Sequence, residues 1–154
     1  MNLIAPTKFS IEPMTPDAIA RVADLEQRIL ALPQVQIHTQ HVLHAGMYAR
    51  TIVIPAGVVL TGALIKCATL LVVHGDVLVS RGDEEGLRIT GTAVLPASAG
   101  RKQAFVAYAD TTLTMAFPTS ATTVEAAEAE FTDDTDMLMS RRDPELNSII
   151  ITGE

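Results

Sequence analysis

His38, His41 and His44 stand three residues apart in a chain with four histidines. On a helix this spacing would line one face and could hold a metal ion. These three follow Pro33, lie among β-branched residues and precede Gly46, which is a strand context. On a strand, positions three apart point to opposite faces, so the set does not converge. The expectation is a polar start to a strand, one histidine bonded to backbone, and no metal. A second stretch, Ser98-Ala99-Gly100-Arg101-Lys102, joins a glycine turn to two cations. It has the ingredients of an anion site, but basic residues beside a hairpin read more simply as surface chemistry.

Other chemistry is missing its context. Ser80 and Ser98 have no activating neighbours, and the Gly-x-Ser-x-Gly pattern is absent. Asp83-Glu84-Glu85 and Asp133-Asp134 are runs of like charge, which read as solvated turns rather than an acid/base pair. No phosphate-binding glycine loop or dinucleotide fingerprint occurs. No catalytic residue and no cofactor are therefore expected. Cys67, the one cysteine, lies in an apolar run beside Ile65, Ala68 and Leu70. It reads as a buried, inert thiol in a protein made for a reducing compartment.

The elements that would position these residues fall into three stretches. Residues 1–34 form an arm and a helix. Pro6 and Pro13 keep the arm extended, with Leu3, Ile4, Phe9 and Ile11 as apolar anchors. Thr15-Pro16-Asp17 starts a helix through a hydroxyl cap, a proline at the first position and an early acid. Ile19, Val22, Leu25 and Ile29 make its apolar stripe, and Pro33 lies at or beyond its end.

Residues 35–118 turn to short runs of Val, Ile, Leu and Thr broken by Gly, Pro and Asp. The spacing predicts strands over 48–54, 58–65, 68–74, 76–80, 87–90, 92–95, 103–108 and 112–117. Gly75-Asp76 reads as a tight turn and 81–86 as a polar hairpin tip. Val72 and Val106 are expected in the core. Eight short strands without alternating helices imply a sandwich or barrel.

Residues 119–154 hold a second short helix and an acidic tail. Thr122 and Glu125 have capping-box spacing, and Val124, Ala127 and Phe131 share a face. The charge-free run Ser148-Ile149-Ile150-Ile151-Thr152 has strong strand propensity. Ile149, Ile150 and Ile151 are expected to pair with a sheet edge, in this subunit or in a neighbour.

The chain has 154 residues and a formal net charge of −7, suited to one domain with its own core. An acidic surface argues against nucleic acid as a partner. The first thirty residues show no signal-peptide pattern, and the longest apolar stretch, 51–65, is interrupted by Pro55, Gly57 and Gly62. No membrane segment is expected.

The block from His41 through Gly46, Tyr48, Ala49 and Arg50, then Ile54-Pro55-Ala56-Gly57 and Leu60-Thr61-Gly62, resembles a family of small cupin-like proteins of tailed bacteriophages. Gly75-Asp76, the Pro96–Lys102 loop and Ala109-Asp110-Thr111 extend the likeness over about 25–131. The resemblance implies a mainly β fold: a cupin-like jelly-roll barrel of about eight strands, flanked by an N-terminal helix, a short C-terminal helix and terminal arms. Metal-binding cupins carry histidines and a glutamate on the strand after the Thr-Gly start. Here that stretch reads Ala63-Leu64-Ile65-Lys66-Cys67-Ala68-Thr69, without imidazole or carboxylate. A barrel interior filled by Leu, Ile, Val and Ala is expected.

Two readings of function follow. The resemblance implies a non-enzymatic virion protein, made in the bacterial host cytoplasm, a head decoration or tail component. It would form a homo-oligomer, trimer favoured, and contact other phage structural proteins. The alternative is a metal-free cupin binding a small molecule or carbohydrate at the barrel mouth, where His41, Tyr48, Arg50 and Arg101 are the polar candidates. The absence of tryptophan makes a sugar-stacking platform hard to build.

Overall fold

The computed structural model describes residues 10–82 and 85–153. Helix α1 (Pro16–Leu30) starts as expected, with Thr15 Oγ1 accepting the Ala18 N–H at 3.2 Å. Strands β1 (Thr39–His44), β2 (Met47–Ile54), β3 (Val59–Thr61), β4 (Thr69–Val79), β5 (Leu87–Ala97), β6 (Ala104–Ala107) and β7 (Thr111–Pro118) follow. Helix α2 (Val124–Phe131), the single turn α3 (Met139–Arg142) and strand β8 (Asn147–Ile151) complete the order. The strands form one eight-stranded sheet in the order β3-β6-β4-β7-β2-β1-β8, with β5 on the other side of β4. The architecture is mainly β, a curled, cupin-like sheet with an N-terminal helix and short C-terminal helices.

The curl depends on β4. One side of β4 pairs with β5 along its whole length; the other is shared between β7 (Leu70 to His74) and β6 (Val77 to Val79). Gly75 sits where the partner changes. It is therefore not the turn expected at Gly75-Asp76: 68–74 and 76–80 are one bent strand, as are 87–90 and 92–95. A backbone φ of 151° and the close approach of β7 explain the glycine. An added Cβ would lie 2.5 Å from Thr111 Oγ1 and 2.8 Å from Thr111 Cα. Glycine at this bend lets one long strand serve two partners, where the sequence suggested a hairpin.

Two strands beyond the eight predicted runs make up the number, β1 and β8, the edge strand expected of the isoleucine run. β1 pairs with β2 through a two-residue turn at Ala45-Gly46, both with positive φ, a conformation suited to a tight hairpin. β8 adds to β1 in parallel, so the isoleucine run pairs within its own subunit. The expected strand 58–65 shrinks to β3, followed by an isolated bridge between Ile65 and Arg101.

The core takes every second residue: Leu71, Val73, Val77 and Val79 from β4, Leu113, Met115 and Phe117 from β7. Val72 and Val106 are only half-buried, one residue out of the expected register. Ile11 pairs with Ala97 and is buried, so this part of the arm docks on its own sheet. Leu3, Ile4 and Phe9, and Asp83 and Glu84 at the expected hairpin tip, lie outside the described residues. Helix α2 is capped by Thr123, whose Oγ1 accepts the Ala126 N–H at 3.2 Å, not by Thr122.

Gly75→Ala is expected to lose about 3 kcal/mol, since the methyl meets fixed β7 backbone at a φ that L-residues avoid. Val53→Thr, on an exposed strand position, is expected to stay within about 0.5 kcal/mol. Urea denaturation of both variants measures the contrast.

Candidate functional site

The curled sheet encloses a cavity of about 150 Å³. Ile52, Leu71, Phe105, Leu113 and Met115 form apolar wall. Arg50, Arg101 and Gln103 also face it, while Phe131, Leu138 and Met139 close it from the C-terminal side. The interior is thus not purely aliphatic, as the sequence suggested.

Arg101 is the largest departure from expectation. It is 1% exposed, not part of a basic surface beside a hairpin. The bridge that ties it to Ile65, with the Ile65 N–H donating to Arg101 O at 2.8 Å, turns its side chain inward. Its Nε donates to Gln103 Oε1 at 3.2 Å, Nη1 to Ser98 O at 2.8 Å and Nη2 to Thr69 Oγ1 at 2.8 Å. Nη2 also faces Met115 Sδ at 3.9 Å. All these acceptors are neutral, and burial brings the guanidinium down to about 10. Lys102 is buried too, but pairs with Glu26 of α1 at 2.9 Å and donates to Gly62 O. That pair pins the helix beside β3.

Arg50, the second arginine on the cavity, has its charge matched. It donates to Glu128 Oε2 at 3.0 Å and to Ser140 Oγ at 3.1 Å, and lies over the Phe131 ring. Glu128, 1% exposed on α2, also accepts from Arg141 Nε at 2.8 Å and from the Ser140 hydroxyl. Burial alone would raise the Glu128 pKa; the bonds from Arg141 and Ser140 and the Arg50 charge outweigh it and hold the carboxyl below its usual value.

His41 and Tyr48 extend this network away from the cavity. His41 Nδ1 lies 2.7 Å from the Tyr48 hydroxyl, and its Nε2 lies 3.0 Å from Asn147 Oδ1. Asn147 donates through Nδ2 to Ser140 O at 2.8 Å, so its Oδ1 takes the imidazole Nε2–H, and Nδ1 accepts from tyrosine. Burial raises the phenol pKa and lowers that of the imidazole. Neither ring lines the cavity. Of the four polar candidates, Arg50 and Arg101 face the cavity; His41 and Tyr48 brace the wall behind it.

His38 bonds Ser148 Oγ at 2.7 Å and His44 bonds Thr152 Oγ1 at 2.6 Å. The three-residue spacing therefore splits across two faces, as expected, but each histidine bonds a side chain from 147–152, His41 also bonds the Tyr48 hydroxyl, and none of these partners is backbone. Cys67 is half-buried and its thiol pKa is raised by burial, which keeps it unreactive.

The donors facing the cavity do not fit a divalent metal. They are two guanidinium groups and an amide, with Lys66 outside, paired to Asp133 at 2.6 Å. Glu26, at the rim, is bound to Lys102; Asp134, also at the rim, is exposed. No three His, Cys, Asp or Glu side chains gather among the described residues. Sequence reasoning missed Glu128, Ser140 and Asn147, which reach Arg50 and His41 from 78 to 106 positions away. Gln103 was within reach, since it shares a face with Arg101 two positions earlier.

The imidazole sets a pH dependence. The folded pKa of His41 is depressed below its ordinary 6.5. Between its folded and unfolded values the unfolded chain therefore binds more protons, and stability is lost as the pH is lowered through that range. Melting temperature is expected to drop between about pH 7 and pH 5.5, and His41→Gln to flatten the drop. Glu128 contributes in a lower window, because its folded value is depressed from 4.5. A His41→Gln profile parallel to the wild type between these pH values would contradict this assignment.

No protein-family model and no curated protein match the chain. Solved structures resemble it in fold. An ectoine synthase from P. lautus superposes with a TM-score of 0.48 at 17% identity, covering 65% of this chain and 76% of that one. A cupin superfamily protein from Desulfitobacterium hafniense gives 0.45 at 11% identity, covering 58% and 83%. A conserved protein of unknown function from Streptococcus pyogenes gives 0.41 at 14% identity, covering 78% and 99%. At these identities and scores the likeness is one of fold, and no ligand, residue role or activity carries over from these proteins.

Proposed function

We propose that this chain is a non-enzymatic, metal-free binding protein that holds a small molecule inside its curled sheet. The observation that carries the reading is the cavity of about 150 Å³, walled by apolar side chains with a few fixed polar groups. That combination is typical of small-ligand sites. A cavity of this order holds a molecule the size of benzene. The groups able to move protons are committed elsewhere. Glu128 is bonded to Arg50, Arg141 and Ser140, and His41 to Tyr48 and Asn147. This favours binding over catalysis.

The second reading, a phage virion protein acting through subunit contacts in a homo-oligomer, trimer favoured, draws on β8. This edge strand carries Ile149, Ile150 and Ile151 at 51%, 47% and 52% exposure. An uncharged edge strand with wet isoleucines invites pairing with another chain.

Two measurements test these readings. Benzene added to the protein is expected to shift the methyl resonances of Ile52, Leu71 and Leu113, and Ala63→Phe, which fills the cavity lining, to abolish the shift. Unmoved cavity methyls would refute the binding reading. For the second, sedimentation of the wild type at micromolar concentration should give an oligomer that Ile150→Lys disperses without loss of β circular dichroism. A monomeric wild type would remove that reading.

A further inference from the structure

Two arginines face the cavity and only one has a counter-ion. Arg50 is matched by Glu128. Arg101, more deeply buried, has no carboxylate among its partners in a chain whose net charge is −7. A guanidinium taken out of water without an anion loses solvation that neutral oxygens restore only in part. The three oxygens that do bind it fix its plane and direction. Ser98 O, Thr69 Oγ1 and Gln103 Oε1 engage one N–H each. Of the five N–H groups of a guanidinium, two on the Nη atoms then have no oxygen acceptor among the described residues. The nearest alternative is the sulfur of Met115, a weak acceptor in the cavity wall.

Much of the remaining wall is apolar: Ile52, Leu71, Phe105 and Leu113 offer dispersion contacts, while the other two cations that line it, Arg50 and Lys102, are already paired with Glu128 and Glu26. At the rim, Asp134 is exposed and disfavours a polyanion. We propose that the cavity binds a small organic monocarboxylate, its carboxylate on the two Nη hydrogens of Arg101 that meet no oxygen, displacing the weak Met115 Sδ contact of Nη2, and its apolar body against Ile52, Leu71, Phe105 and Leu113. This rests on the reading of the cavity as a binding site, and names its ligand class. An inorganic anion would satisfy the charge but leave the apolar wall without contacts.

Benzoate and benzamide are nearly equal in size and differ in charge, so they isolate the arginine's part. In NMR titrations of the full chain, benzoate is expected to bind one-to-one, about tenfold or more tighter than benzamide. It should also shift the Arg101 side-chain Nε resonance along with the cavity methyls. Arg101→Met is expected to erase the preference. Because that variant also loses three structural hydrogen bonds, the wild-type Arg101 resonance supplies the independent readout. Equal affinity for the two probes, or an Arg101 signal unmoved by benzoate, would overturn the proposal. So would inorganic phosphate binding as tightly as benzoate. Benzene bound without a benzoate preference refutes the carboxylate alone; if neither benzene nor benzoate reaches the cavity methyls, both readings fall.

Discussion

Glu128 lies between the curled sheet and the C-terminal segment with two arginines and a serine on its oxygens. Arg50 comes from β2, Arg141 and Ser140 from α3, and the carboxylate from α2, so one buried group joins three elements. A carboxylate in this position is tolerable only because its acceptor sites are filled by charged donors. The consequence is geometric. With α2 and α3 fixed over β2, Phe131, Leu138 and Met139 are placed on the cavity and add its C-terminal wall. Breaking the hub by removing its carboxylate would leave Arg50 charged and half-buried, a loss of about 3–5 kcal/mol in comparable pairs.

The same network reaches the last strand. Ser140 offers its hydroxyl to Glu128 and its carbonyl to Asn147, and Asn147 meets His41. β8 is thereby held in register on β1 by side chains as well as by its ladder. His38 to Ser148 and His44 to Thr152 flank the central His41 to Asn147 contact. A parallel strand added at an edge has no hairpin to set its pairing, and a slip of one residue would reverse which side chains face inward. Three side-chain contacts at intervals along β1 supply that missing specification. The three-residue histidine spacing thus reads as a register device.

The sequence carried the local features well. Thr15-Pro16 starts α1, and the apolar runs lie where strands form, although the core face of β4 is Leu71, Val73, Val77 and Val79 rather than the face of Val72. It failed where a residue's ordinary role was overridden at a distance. Gly75-Asp76 has turn composition, yet the glycine serves a bend where β7 gives way to β6 across β4. Arg101-Lys102 has surface composition, yet the bridge at Ile65 and the glutamate on α1 draw both cations inside. Nothing near Arg50 in sequence points to Glu128, because the pair is made by folding the last third of the chain back over the sheet.

Charge distribution separates the two cavity arginines by role. Arg50 and Glu128 form a closed unit whose donors and acceptors are already matched, so that corner of the wall gains little from a ligand. Arg101 has its orientation fixed by neutral groups and its charge left open. Orientation without neutralisation is costly in an empty site and favourable in a filled one, since an incoming anion meets donors that need no rearrangement. A salt bridge at this position would stabilise the fold more and bind nothing. Among the described residues that line the cavity, Arg50 and Lys102 are each paired with a carboxylate and Arg101 is not, which leaves its positive charge unmatched beside a largely apolar wall.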